Sequence, residues 1–487
     1  MSDPQILVLD AGTTSTRAIV FGADGGVRAV AQRPLAQFYP APGEVEHDAA
    51  EIRDATFACA REALAAAGGA AALGIANQRE TVVAWDKASG RPLHRAIVWQ
   101  DRRTAPACEA LRRAGQEPVI QAQTGLLIDP YFSATKMRWL IDNVDAVGAA
   151  ARAGTLALGT VDAWLAWNLT GGAFITDASN ASRTSLLALT GAQWDAGLCD
   201  LFGVPRGALA EVTDCHGAWG RSDPAIVGAA VPLTGMAGDQ QAATIGQGCL
   251  APGDAKATYG TGAFVLANKG AAVPRSGHRL LGTVLLQEAG RRTYALEGSV
   301  FTAGSLIAWL RDGLGLLAAS DECEAVARSV PDNGGVVLVP ALTGLGAPHW
   351  RPDARAAITG LSAGTGRAHV VRAALEAMAQ QTFDLAQAFA ADGAAWSRLR
   401  IDGGMSANDW MAQDIADILA LEVERPDNVE TTALGAAMLA AVGAGIHADL
   451  PAAAAAMRGP VRCFRPAMDD AVRAKRLADW HAALAKI

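Results

Sequence analysis

The chain alternates short apolar, β-branched runs with longer stretches whose apolar residues recur at helical spacing. "ILVLD" (6–10) and "TRAIVFG" (16–22) have strand character. "GADGG" (22–26), lying before "VRAVAQ", is a turn signal that predicts an antiparallel hairpin. Residues 48–68 predict a helix, with Asp48 as its cap, Ile52, Phe57 and Leu64 on its apolar positions, and Gly68 closing it. "AALGIANQ" (71–78) and "TVVAW" (81–85) return to strand character. This order is α/β with a hairpin at its start, not a pure run of parallel strand–helix–strand units.

The theme restarts near the middle. "GDAKATYGTGAFVLANKG" (253–270) repeats the strand, Gly/Thr turn and second strand of residues 6–21. "RRTYALEGSV" (291–300) predicts another strand, "AGSLIAWLRDGLG" (303–315) a helix ending at glycines, and "GVVLVPALTG" (335–344) a strand running into a loop. Residues 367–393 predict a long amphipathic helix, and residues 398–420 a strand, a glycine turn and a helix. The repeat divides the chain into 1–245 and 246–487, with a cleft between the halves as the expected site.

Composition narrows the function. At 487 residues, 51% apolar and 18% charged, the chain has material for more than one core. Its 41 basic and 49 acidic residues give a net charge of −8, which argues against general nucleic-acid binding but leaves room for a basic pocket. Seven scattered cysteines without a CxxC pair fit reduced thiols, and eight histidines lack an HxxxH or HExxH spacing. No basic segment precedes a long apolar one near the start, and no run of about 18 apolar residues occurs. A cytoplasmic protein without membrane insertion is expected.

Several segments carry candidate chemistry. In "DAGTTSTR" (10–17), small residues let backbone N–H groups approach phosphate oxygens, Thr13, Thr14 and Ser15 add hydroxyl donors, and Asp10 can hold Mg²⁺. "TYGTGAF" (258–264) is a second Gly/Thr turn that could grip a polyphosphate from the other side. The glycines of "DGGMSAN" (402–408) permit close approach to a flat ring or a ribose. Asp239 in "AGDQQAA" (237–243) can accept a proton from a hydroxyl attacking phosphorus. Arg79 and Glu80 offer a donor fork and an acceptor to a small polyol, with Trp99 and Tyr131 as neighbouring aromatics. Each segment also has a plain structural reading: hairpin turn, helix cap, surface ion pair or core aromatic.

Taken in order, these segments resemble the FGGY carbohydrate-kinase family over nearly the whole chain, and within it the members that phosphorylate glycerol. The first family signature is matched by "YFSATKMRWLIDN" (131–143) and the second by "AITGLSAGTGRAHVVRAALE" (357–376). "NQRETVVAW", "AIVWQDRRTA", "DASNASRTSL", "GMAGDQQAA", "TYGTGAF", "LTGLGAPHW" and "TTALGAA" extend the match. The resemblance implies an actin-like ATPase fold: two ribonuclease-H-like domains flanking a deep catalytic cleft. It implies transfer of phosphate from ATP, with Mg²⁺, to glycerol, giving sn-glycerol 3-phosphate. By the same resemblance, Arg79, Glu80, Tyr131, Asp239 and Gln240 would hold glycerol between Trp99 and Phe264, with Asp239 as general base. Asp10 would position Mg²⁺; Thr13, Thr14, Ser15, Arg17, Thr261 and Gly262 would hold phosphates; Gly304, Gly404 and Asn408 would lie along the nucleoside. A homodimer or homotetramer is expected.

Four departures stand out. Ala11 and Ala308 replace glutamines common in the family, Glu44 replaces a tryptophan, and the linker "AIVGAA" (225–230) lacks a Gly/Arg-rich loop that binds fructose 1,6-bisphosphate in some relatives. Inhibition by that sugar phosphate is therefore not expected. Two other readings stay open on sequence: a kinase of this family for another small polyol or ketose, such as dihydroxyacetone or erythritol, and a nucleotide-driven binding module of the chaperone kind.

Overall fold

The computed structural model describes residues 3–351, 353–428 and 430–487; Met1 and Ser2, part of the segment read for a leader, lie outside them. The elements that position the site, in chain order, begin with β1 (Gln5–Ala11), β2 (Ser15–Gly22), β3 (Val27–Pro34), α1 (Ala49–Ala67), β4 (Ala72–Asn77), β5 (Leu233–Gly238) and α2 (Asp239–Gly246). They continue with β6 (Asp254–Tyr259), β7 (Ala263–Gly270), β8 (Leu281–Glu288), β9 (Arg291–Val300), α3 (Gly304–Asp312), α4 (Arg367–Ala391), β10 (Arg398–Asp402), α5 (Asp409–Leu419), β11 (Val423–Pro426), α6 (Thr431–Gly443) and β12 (Val461–Phe464).

One sheet has the order β5-β4-β1-β2-β3 and the other β8-β9-β7-β6-β10-β11-β12. In the first, β1 pairs antiparallel with β2, β2 antiparallel with β3, and β4 lies parallel to both β1 and β5. In the second, β6 and β9 flank β7 antiparallel, while β10 lies parallel to both β6 and β11. The five-strand pattern therefore occurs twice, each time with a long helix before the fourth strand and a helix after the fifth. This is the doubled ribonuclease-H-like core of the actin-like ATPase fold. Strand β8 is an addition at the edge of the second sheet.

Alternation along β1 explains its two-sided burial. Leu7, Leu9 and Ala11 pack beneath α1 with Leu73 and Ile75, whereas Ile6 and Val8 pack with Ala436 and Leu439 of α6. Asp48 caps α1 by accepting from Ala50 N, and Gly68 ends it in the left-handed region. Helix α6 is apolar all round and buried all round, crossing α2 while covering the first sheet. The crossing closes at two glycines: a Cβ on Gly435 would run into Ala242 O, and one on Gly246 into Thr431 O.

In the second sheet, Ala255, Ala257, Val265, Ala267, Leu399 and Ile401 join the core under α4 and α5. The intervening residues, Lys256, Thr258, Phe264, Glu297 and Asp402, are placed on the opposite face by the strand register. That face looks onto α2 and the ends of β4 and β5. No helix among the described residues is long and apolar enough to cross a membrane.

Candidate active site

The first Gly/Thr turn is held from three sides. Gly12 N donates to Ser15 O at 3.1 Å, Gln78 Nε2 donates to Gly12 O at 3.0 Å, and Leu35 N donates to Thr14 O at 3.0 Å. Thr13 Oγ1 accepts from Trp99 Nε1 at 2.9 Å, and Ser15 Oγ accepts from Gln32 Nε2 at 3.1 Å. Thr14 is exposed at the turn. Asp10 lies directly opposite Arg17 in the hairpin register, with Arg17 Nη2 at 2.5 Å from its Oδ2. The other guanidinium nitrogen reaches Glu430, just ahead of α6, at 2.5 Å. Burial raises the Asp10 pKa above the ordinary carboxylate range, and Arg17 offsets only part of that.

Ala11 points away from Asp10, into the core under α1, and is fully buried. The side chain at this position thus faces the helix layer, and the polar group expected from the family pattern is replaced by core packing.

The ends of β4 and β5 carry the densest cluster of charge. Arg79 places Nε 3.3 Å from Asp239 Oδ1 and Nη1 2.6 Å from Glu297 Oε2, and its Nη2 donates to the Tyr131 hydroxyl at 3.3 Å. Glu80 adopts a left-handed φ of 62° and accepts from Arg183 Nε at 2.6 Å. Arg183 also reaches Glu297 Oε1 at 3.0 Å. Arg79, Glu80, Arg183 and Glu297 are each at most 3% exposed, so each of these charges is compensated by contact rather than by water. Trp99 and Tyr131 meet edge to face at 5.7 Å, joining this cluster to the first Gly/Thr turn through Thr13.

Asp239 is the first residue of α2, not its cap; Gly238 holds the cap position. Its carboxylate accepts from Gln240 N at 2.7 Å and keeps 32% of its side-chain surface open to the cleft. Burial pushes its pKa up to about 6, with Arg79 pulling it down and Glu80 pushing it up. A Cβ on Gly238 would sit 2.8 Å from Arg79 Cγ and Cδ, so glycine there lets the arginine lie against the strand end.

The segment "DASNASRTSL" braces both strand ends. Asn180 and Asn77 exchange two amide hydrogen bonds of 3.0 Å, Asn180 Nδ2 donates to Asp177 at 2.7 Å, and Ser179 Oγ accepts from Gly238 N at 2.9 Å.

Across the cleft, Thr261, Gly262, Gly304 and Gly404 are brought together. Gly304 N donates to Gly260 O at 2.8 Å and Ser305 Oγ to Thr261 O at 2.9 Å. A Cβ on Gly304 would stand 2.6 Å from Gly260 O and 3.2 Å from Met405 Cγ. Gly403, with φ 87°, packs against the backbone of Tyr259. Asn408 is committed elsewhere: its Oδ1 caps α5 by accepting from Met411 N at 2.8 Å, and its Nδ2 faces Cys323 Sγ at 3.4 Å. Phe264 shares the sheet face of Lys256 and Glu297. Asp402, also on that face, accepts from Thr258 at 2.5 Å, Thr431 at 2.7 Å and Gln247 at 3.1 Å.

Sequence reasoning did not single out Arg183, Glu297, Lys256 or Asp402 as parts of this cluster. The signal present was a lone charge inside an otherwise apolar strand, as in "DAKATY" and "TYALEGSV".

Models of the FGGY family of carbohydrate kinases match the chain twice, the N-terminal domain over residues 5–246 and the C-terminal domain over residues 255–444. A glycerol kinase from Rhodospirillum centenum is 52% identical over 486 residues, covering 99% of this chain and 97% of that protein. One from Aromatoleum aromaticum is 53% identical, covering 98% of each. Among solved structures, Plasmodium falciparum glycerol kinase with ADP matches with a TM-score of 0.95 at 35% identity, covering 99% of this chain and 98% of that one. A xylulose kinase from Rhodospirillum rubrum matches with a TM-score of 0.88 at 26% identity, with the same coverage.

Proposed function

The chain belongs to the FGGY family of carbohydrate kinases, and from that premise we propose that it phosphorylates glycerol with ATP, giving sn-glycerol 3-phosphate. The observation that carries this reading is the convergence of Arg79, Glu80, Tyr131 and Asp239 beside the first Gly/Thr turn. A neutral triol offers no charge to grip, so it is selected by placed donors and acceptors and by apolar contact with its carbons. Arg79 and Gln240 supply donors, Glu80 and Asp239 acceptors, and Trp99, Tyr131 and Phe264 the walls.

Asp239 is the general base. With a pKa of about 6 it is largely ionised at neutral pH, yet basic enough to take a proton as the hydroxyl attacks. Phosphoryl transfer otherwise needs alignment and charge neutralisation more than covalent help. Thr13, Thr14, Ser15 and Arg17 from residues 1–245, and Thr261 and Gly262 from residues 246–487, hold the phosphates from two sides. Gly304 and Gly404 let the nucleoside approach backbone, and Asn408, whose side chain caps α5, holds the adjoining turn in place.

The donor set at Asp10 fits Mg²⁺: Oδ2 is taken by Arg17, and Oδ1 makes no hydrogen bond among the described residues. Bound there with the nucleotide, Mg²⁺ would neutralise phosphate charge. Closure of the two halves excludes water, which would otherwise compete as acceptor. The buried thiols and the need for ATP suit a cytoplasmic setting. Assembly into a homodimer or homotetramer is the family expectation, measured by light scattering.

The direct test is a steady-state panel of glycerol, dihydroxyacetone, erythritol and a pentulose with ATP and Mg²⁺. Glycerol is expected to have the highest kcat/KM; a clear preference for the pentulose overturns the reading.

A further inference from the structure

Lys256 is fully buried in the middle of β6, on the sheet face that looks across to α2. Among the described residues it has no carboxylate within 4.0 Å, and its one hydrogen bond is to Gln240, whose Oε1 accepts from Nζ at 2.8 Å. A buried ammonium without a contacting counter-ion is expensive, so its placement calls for a role. Burial pulls its pKa down, and at longer range Asp402 and Asp239 favour its charged form while Arg79 opposes it.

The contact decides a chemical question about Gln240. An ammonium has donors and no acceptor, so the amide atom facing it must be the oxygen. The amide nitrogen is then the end left for a ligand, and Nε2 donates to no described residue. Gln240 is half-buried, next in sequence to Asp239, and hydrogen-bonds the Asp239 carboxylate through its own backbone N–H.

We propose that Lys256 is a positioning residue of the acceptor site, fixing the Gln240 amide so that it presents N–H donors beside the Asp239 carboxylate. The pair then receives a group that donates to one partner and accepts from the other. An alcohol hydroxyl does both; a ketone oxygen can only accept. The second half of the chain thereby contributes to acceptor selection through a residue that touches no substrate. This inference rests on the acceptor reading above, and turnover of glycerol by the unaltered enzyme tests that reading separately.

The experiment is a double-mutant cycle on the full chain, with KM for glycerol and for ATP measured for each variant. Lys256→Met frees the amide to turn and is expected to raise the glycerol KM about ten-fold, while the ATP KM stays within about two-fold. Lys256→Arg, which keeps a donor, should recover part of the loss. In a Gln240→Ala background, adding Lys256→Met should change the glycerol KM by less than about two-fold, because the group that Lys256 positions is gone. A general packing role would leave the full effect in that background. Persistence of the full effect there, or an unchanged glycerol KM in the single variant, overturns the proposal. If the methionine variant does not fold, Lys256→Leu repeats the comparison, again without a donor.

Discussion

At the scale of the residue, Asp239 carries the sharpest prediction. Its pKa is raised to about 6 by burial, so the carboxylate loses its proton-accepting form as pH falls through that value. The kcat/KM for glycerol should show an acidic limb near pH 6. Asp239→Asn should lower kcat by about 100-fold or more while the ATP dissociation constant moves by less than about two-fold. A kcat within a few-fold of the unaltered enzyme, or a limb that survives the substitution, would remove Asp239 from the role of base. The residues of this site divide by how they can be read. Arg79, Glu80 and Tyr131 sit at strand ends or in loops and Asp239 at a helix start, all inside segments whose order is recognisable. Arg183 and Glu297 act through partners far away in the chain: Glu297 meets Arg79 across 218 residues and Arg183 across 114. No local spacing encodes such a pairing, because the fold alone brings the strand carrying the acid beside the loop carrying the base.

At the scale of the element, periodicity located most of the frame. The helix expected over 48–68 spans Ala49–Ala67, and the strand, turn and helix expected over 398–420 form β10, a short turn and α5. Strand β8 was not legible. Its hairpin to β9 turns through Ala289 and Gly290, both left-handed at φ 48° and 73°, and alanine there gives none of the Asn-Gly or Asp-Gly signal of such turns. The α2–α6 crossing was also hidden, since "TTALGAA" shows small residues but not which backbone they meet. That crossing aims two helix starts at the cleft, Asp239 on one and the Glu430–Thr431 pair on the other. Gly435→Val would force its side chain into the Ala242 carbonyl and push the helices apart. The expected cost is about 3 kcal/mol, the upper end of overpacking, seen as a lower Tm together with reduced glycerol turnover. An unchanged Tm would mean that the crossing has slack the glycine contacts do not suggest.

At the scale of the whole molecule, the two halves are tied through the proposed acceptor site. Glu297, on the second sheet, holds Arg79 and Arg183, both from the first half, in one buried cluster. Burial alone would raise its pKa; Arg183 and Arg79 outweigh that and hold it below the ordinary 4.5. A carboxylate depressed by folding stabilises the folded state above its ordinary range and loses that contribution as pH falls. Glu297→Gln keeps the shape but leaves two buried guanidinium groups short of one counter-charge. At pH 7 the loss should approach the roughly 3–5 kcal/mol seen when a buried pair loses one partner. The gap from the unaltered protein should narrow as pH falls below about 4.5, where the unfolded-state glutamate also takes up a proton. Since Arg79 would lose its orienting partner, the glycerol KM should rise about ten-fold while the ATP KM stays within about two-fold. Denaturant unfolding at pH 7 and pH 4, run beside steady-state kinetics, separates the two consequences. A stability loss with unchanged glycerol KM would make Glu297 a strut between the halves and nothing more. Equal changes in both KM values would mean that its contact with Arg79 does not serve the acceptor in particular.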